Sequence, residues 1–243
     1  MEPSEYDLMD AHEAELWWYR ALHARLLDAL DAVRGRVLDA GCGTGGLLRM
    51  TAAARPDLAL VGVEREPRAA RLAHGKSGAA VAGGSIGQLP FGDASFDAVV
   101  AADVLCHELV EPVPTLASLR RVLRPGGLLI VNMPAYRWLL SSHDRRVQNA
   151  RRCAAGELRR MLARAGFAGI ETRYWNGLLL PLMVARRKLR LRHNAASDVT
   201  RLSPWANTLF HAVTRLERRL PVRLPAGGSV LATARRPRDG ESE

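Results

Sequence analysis

Apolar residues recur every third or fourth position from 13 to 30, through Leu16, Trp17, Ala21, Leu22, Leu26 and Leu30, and predict a helix with one buried stripe. The pattern then changes to short apolar runs at 36–40, 58–63, 79–82, 96–102 and 128–133. Helical stretches at 47–54, 67–74 and 112–123 fall between most of them, and Pro67 suits the first turn of its helix. Buried strands alternating with helices predict a parallel sheet covered on both faces. Arg124-Pro125-Gly126-Gly127 reads as a turn before the fifth strand. Beyond it come a polar loop at 134–153, a helix at 155–165 closed by Gly166, and strands at 170–175 and 229–234. About fifty residues separate the last two strands, where a hairpin needs a handful, and they hold helical stretches at 178–192 and 204–220. The predicted organisation is an N-terminal helical segment at 1–35, a core at 36–176, a helical insertion or lid at 177–228, a last core strand at 229–236 and a tail at 237–243.

A chain of 243 residues suits one catalytic domain with an added lobe. No apolar stretch approaches the roughly 20 residues of a membrane span, and the acidic start, 1–15, does not read as a secretory signal. Cys42, Cys106 and Cys153 are far apart and form no CxxC pair, which argues against a disulfide framework and a zinc site and for a reducing cytoplasm. The net charge of +10 invites a polyanion partner. Only Lys76 and Lys188 among the 35 basic residues are lysine, however, so the charge also reads as the arginine and alanine bias of a GC-rich genome.

The loop Gly41-Cys42-Gly43-Thr44-Gly45-Gly46 lies between a strand and a helix, where glycine lets a ligand approach the backbone and the helix start offers free N–H groups. Gly41, Gly43 and Gly46, with Glu64 about 20 residues on, also satisfy the dinucleotide fingerprint. Asp39, two residues before the first glycine, favours a cationic ligand over a pyrophosphate on electrostatic grounds.

Four segments together carry a resemblance: Val37-Leu38-Asp39-Ala40-Gly41-Cys42-Gly43-Thr44-Gly45, Leu89-Pro90-Phe91, Phe96-Asp97-Ala98-Val99-Val100 and Leu123-Arg124-Pro125-Gly126-Gly127. In order and spacing, over about 37–234, they resemble the class I S-adenosylmethionine-dependent methyltransferases. That resemblance implies a doubly wound α/β, Rossmann-like core of seven strands, mostly parallel with an antiparallel last strand, and S-adenosylmethionine as cofactor. By the same likeness Asp39, Gly41 and Gly43 hold the methionine part, and Glu64 takes both ribose hydroxyls. Arg65 and Leu89 sandwich the adenine, and Asp103 meets the methionine ammonium. Ser85, in Gly84-Ser85-Ile86, stands where the family often has an aspartate for the adenine amino group, and a hydroxyl accepts that bond more weakly.

An acceptor is expected beyond the carboxyl ends of strands four and five. Methyl transfer needs mainly alignment, so a base is optional. For a hydroxyl acceptor, His143 or His107 would take the proton and Asp144 would orient the imidazole. Tyr136 and Trp138 would wall the acceptor. The segment 133–144 with Arg151-Arg152 resembles a bacterial small-molecule methyltransferase subfamily and brings those arginines to the substrate. Where that subfamily tends to read His-x-Arg-Arg-Tyr, this chain has Asn149-Ala150-Arg151-Arg152-Cys153. Asn132-Met133-Pro134-Ala135-Tyr136 is similar to the Asn-Pro-Pro-Tyr box of nucleic-acid methyltransferases, but it follows the fifth strand rather than the fourth.

In the insertion, Leu178-Leu179-Leu180-Pro181-Leu182-Met183-Val184 runs into Arg186-Arg187-Lys188-Leu189-Arg190-Leu191-Arg192. Such a segment lies on an anionic membrane or covers a lipid-like acceptor as a lid. The resulting expectation is methyl transfer to a small or lipid-like molecule at a hydroxyl oxygen, in the cytoplasm or at the periphery of its membrane, without a metal. The alternatives are a nucleic-acid methyltransferase and a scaffold that keeps the fold without turnover.

Overall fold

The structure, a computed structural model, describes residues 3–141, 144, 146–190, 203–238 and 240. Seven strands make one sheet: β1 (Arg36–Ala40), β2 (Ala59–Glu64), β3 (Ala80–Gly83), β4 (Phe96–Ala102), β5 (Leu123–Pro134), β6 (Ala168–Trp175) and β7 (Ser229–Arg235). Their order is β3-β2-β1-β4-β5-β7-β6; β1 to β5 pair in parallel, while β7 is antiparallel to both β5 and β6. The order turns back between β1 and β4, so the crevice beyond the carboxyl ends of these two strands is where such a sheet binds ligands.

Alternating side chains explain the covering on both faces. Leu38 on β1 joins Val99, Leu116, Leu119, Leu129 and Leu162 in one core. Its neighbour Val37 joins Leu22, Leu26, Leu30, Ile130 and Trp175 in the other. The connecting helices are α3 (Gly46–Ala54), α4 (Pro67–Ser77), α5 (Pro112–Val122) and, after the polar loop, α6 (Ala155–Arg164).

Two local features differ from the sequence pattern. The helix expected at 13–30 is α2 (Trp17–Ala29), which starts four residues later, after an extended Leu16, and is preceded by a separate helix, α1 (Pro3–His12). The break follows from Glu13 turning inward: its carboxylate accepts the Gly46 N–H at 3.2 Å and pairs with Lys76. The expected turn at 124–127 belongs to β5, whose register against β4 shifts between Phe96 and Ala98. There the Gly126 N–H donates to the Arg236 carbonyl at 2.8 Å, carrying the pairing with the chain after β7 through the turn.

Between β6 and β7 lie α7 (Leu180–Arg190) and α8 (Pro204–Arg219). A buried ion pair fixes α8 to α2: Arg25 Nη2 meets Glu217 Oε1 at 3.0 Å. The same carboxylate accepts the N–H groups of Asn176, Gly177 and Leu178 at 2.6, 2.8 and 3.1 Å, and the Arg25 guanidinium lies 4.7 Å over the Trp175 ring. Among the described residues no helix is long and apolar enough to cross a membrane.

Candidate active site

Gly41 follows β1 at φ +82°, and a Cβ there would stand 2.8 Å from Val104 Cγ2, so the turn admits only glycine. The N–H groups of Gly41 and Cys42 both donate to the Val63 carbonyl, at 2.9 and 3.1 Å, which ties the loop to the end of β2. Glu64 closes β2 and reaches back to the loop. Its Oε2 accepts the Gly43 N–H at 2.9 Å, and its Oε1 accepts the N–H groups of Arg65 and Glu66 at 2.9 and 3.0 Å. The Tyr6 hydroxyl donates to the same Oε1 at 3.2 Å, bringing α1 across the loop.

Asp39 ends β1 and Asp103 follows β4, and each keeps one buried carboxylate oxygen without a partner. Asp103 adopts φ +52°; its other oxygen accepts the Asn132 Nδ2 at 2.9 Å, while the Asn132 Oδ1 accepts the Trp175 indole N–H at 2.8 Å. Burial, with the charges of Glu64 and Glu13, pushes the Asp39 carboxyl up to about 7. Burial likewise raises Asp103 to about 7 against the opposing pull of Asn132 and Arg152.

These groups share one cavity of about 490 Å³ with Gly41, Gly43, Arg65, Ser85 and Ile86. Much of the remaining lining is apolar, with Trp17, Trp18, Leu22, Leu182, Met183 and Phe210 from α2, α7 and α8, interrupted by the polar His107, Asn149 and Arg152. Two unpartnered buried carboxylates against bare backbone suit a cationic ligand. Conversely, the N–H at the start of α3 that would hold a pyrophosphate is taken by the buried Glu13 carboxylate. The dinucleotide alternative therefore lacks its anchor.

The remaining expected residues are distributed as follows. Leu89 lies in the sheet core and is not a wall of the cavity, because the turn at Gly84-Ser85-Ile86-Gly87 presents Ile86 instead. His107 lines the cavity, but its ring is hydrogen-bonded by the main chain of Val147 and Gln148, and burial lowers its basicity. His143 lies outside the described residues. Asp144 borders the cavity but its carboxylate is spent: it holds Arg152 at 2.7 and 3.0 Å and the Ser141 N–H and hydroxyl at 2.7 Å. Arg151 reaches the carbonyls of His107 and Val110, at 2.5 and 2.8 Å, and so staples the loop after β4 rather than facing the cavity. Tyr136 stacks between Trp138 and Tyr174, with ring centres 5.6 and 5.4 Å apart, and Trp138 is exposed; neither ring walls the cavity.

His23 was not singled out by sequence. It is a buried histidine on the inner face of α2, lines the cavity, lies 6.1 Å from the Tyr19 ring and makes no hydrogen bond to a described residue. Burial and the nearby Arg49 lower it to about 4, so the imidazole is neutral. A polar residue on the buried stripe between Leu22 and Leu26 was the available signal.

A family model described as "Methyltransferase domain" matches residues 38–131. A malonyl-[acyl-carrier protein] O-methyltransferase of Herminiimonas arsenicoxydans is 35% identical over 120 residues, 49% of this chain and 45% of that protein. A 24-methylenesterol C-methyltransferase 2 of Oryza sativa subsp. japonica is 35% identical over 135 residues, 51% of this chain and 34% of that one. The chain spans about a third to a half of the length of the curated relatives it matches. A SAM-dependent methyltransferase of Thermotoga maritima superposes with a TM-score of 0.63 at 20% identity, over 96% of this chain and 95% of that one, and so has the same fold. The glycine loop, Glu64 and the two buried aspartates all lie on the segment that is similar to a methyltransferase domain, within a fold shared with the Thermotoga protein.

Proposed function

We propose that the chain transfers a methyl group from S-adenosylmethionine to a small, largely apolar molecule, at a hydroxyl oxygen. The observation that carries this reading is the pair of unpartnered carboxylate oxygens, on Asp39 and Asp103, in a cavity whose remaining lining is largely apolar. Bound there, S-adenosylmethionine supplies a methyl group on a cationic sulfur that is already a good leaving group. Asp39 and Asp103 balance the positive charge, Glu64 grips the ribose diol, and the bare backbone at Gly41 and Gly43 admits the methionine part. Ile86, Arg65 and Ser85 border the adenine. The apolar walls hold the acceptor and exclude water, so that alignment supplies most of the acceleration. His23, a neutral imidazole on the cavity wall, accepts a hydrogen bond from the acceptor hydroxyl and orients its oxygen toward the donor, and the proton passes to solvent after the oxygen is methylated. By their names one relative methylates an acyl-carrier-bound malonyl group at oxygen and the other a sterol at carbon, and the sterol is consistent with an apolar acceptor.

Thermal unfolding tests the donor. S-adenosylmethionine should raise the midpoint, and NAD at the same concentration should leave it unchanged; the reverse result overturns the cofactor assignment. The shift should also grow between about pH 6 and about pH 8. Asp39 and Asp103 have folded values near 7, above their unfolded ones, so their protonated forms stabilise the empty chain at low pH and that contribution fades as pH rises through about 7. A cationic ligand favours the ionised forms and gains affinity over the same window.

The oxygen is tested by S-adenosylhomocysteine production across matched sets of long-chain alcohols, phenols and amines. Turnover of alcohols or phenols is expected, with kcat reduced about tenfold in His23→Phe at unchanged donor binding. Turnover confined to amines would rule out the hydroxyl reading.

A further inference from the structure

The insertion carries an apolar surface that the active site does not use. Of the eleven large apolar side chains exposed among the described residues, seven belong to 177–228. Three follow one line along α8: Trp205 at 71% exposed, Leu209 at 48% and Leu216 at 58%. With exposed Ala212 between them and Leu220 just beyond the helix, they recur every third or fourth residue, as one face of a helix does. The opposite side of α8, through Ala206, Thr214 and Glu217, is buried. The helix is thus held to the chain by one side, while the apolar line on the other is not covered by described residues.

Charge identifies the occupant of the other side. Arg215 and Arg219 flank the line on one edge, are exposed, and form no ion pair with a described residue. An apolar stripe bordered by guanidinium groups matches the depth profile of a bilayer carrying anionic headgroups, with the side chains in the acyl boundary and the cations among phosphates. The cavity points the same way: Leu182 on α7 is both exposed and a wall of it, so the apolar lining reaches the surface at the insertion.

We propose that the outward face of α8 docks on an anionic lipid bilayer, placing the cavity mouth where an apolar acceptor leaves the membrane. This rests on the apolar-acceptor reading above. The test is co-sedimentation of the full chain with vesicles of phosphatidylcholine, with and without phosphatidylglycerol. Binding is expected only with phosphatidylglycerol present, weakening as salt is added. Leu209→Glu with Leu216→Glu should abolish it. Arg215→Gln and Arg219→Gln should each weaken it about fivefold, the effect of one basic residue at such a surface. All four changes lie outside the cavity walls, so each variant should keep the thermal shift given by S-adenosylmethionine. Equal binding to both vesicles, or no binding, overturns the proposal. So does a dimer seen by light scattering that Leu209→Glu dissociates, because the stripe would then belong to a second copy of the chain. Loss of the S-adenosylmethionine shift in the unaltered chain would instead overturn the cofactor reading, whatever the vesicles show.

Discussion

Glu217→Gln should lower the stability of the chain by about 3–5 kcal/mol, or roughly 6 to 20 °C in the unfolding midpoint, because it strands a buried guanidinium. Arg25 Nη2 also bonds the Thr214 carbonyl at 3.1 Å, and Nη1 the Ala21 carbonyl at 3.0 Å, but neither acceptor carries charge. Glu217 further holds three consecutive N–H groups, from Asn176 to Leu178, where β6 leads into the insertion. An amide offers one oxygen for the work of two, so at least one of these donors loses its partner at a further cost. Arg25→Met is the informative comparison. It leaves the carboxylate with its three N–H donors and should cost less than Glu217→Leu, which removes both functions. Equal losses would mean that the ion pair alone, and not the backbone anchor, secures the insertion.

The second large effect is on the donor. Glu64→Ala should weaken S-adenosylmethionine binding by at least about a hundredfold, since two charge-assisted hydrogen bonds to the ribose are lost. Thermal stabilisation by the cofactor should disappear at concentrations that stabilise the unaltered chain. Glu64→Gln keeps the shape and an acceptor for the Gly43 N–H, and should fall between the two. A stabilisation unchanged in Glu64→Ala would place the sugar elsewhere in the cavity.

The strands were legible because a buried strand writes its whole pattern locally. Residues 36–40, 58–63 and 96–102 are short, mainly apolar runs with clear stops, and β1, β2 and β4 appear there within a residue or two. The glycine loop and Glu64 were visible for the same reason, lying one short connection apart. What was missed depends on distant partners. Glu13 fits a helical stripe by spacing, yet it turns inward to the backbone of Gly46 and to Lys76, far along the chain, and the helix breaks beside it. Asp144 and Arg152 have the chemistry of a substrate site but are committed to one another. Tyr136, with Trp138 on one side, stacks on a ring from β6, a neighbour that no window around 136 contains. His23 sits among leucines, and no motif or spacing around it marks a site.

The phenol of Tyr6 already rests on the oxygen that a sugar hydroxyl is expected to occupy. Any dissociation constant measured for the donor is therefore a net quantity, the new bond to Glu64 less the internal one surrendered or shared. Trimming the first dozen residues changes both sides of that exchange at once, and the affinity of a shortened chain reports the bare crevice rather than the protein.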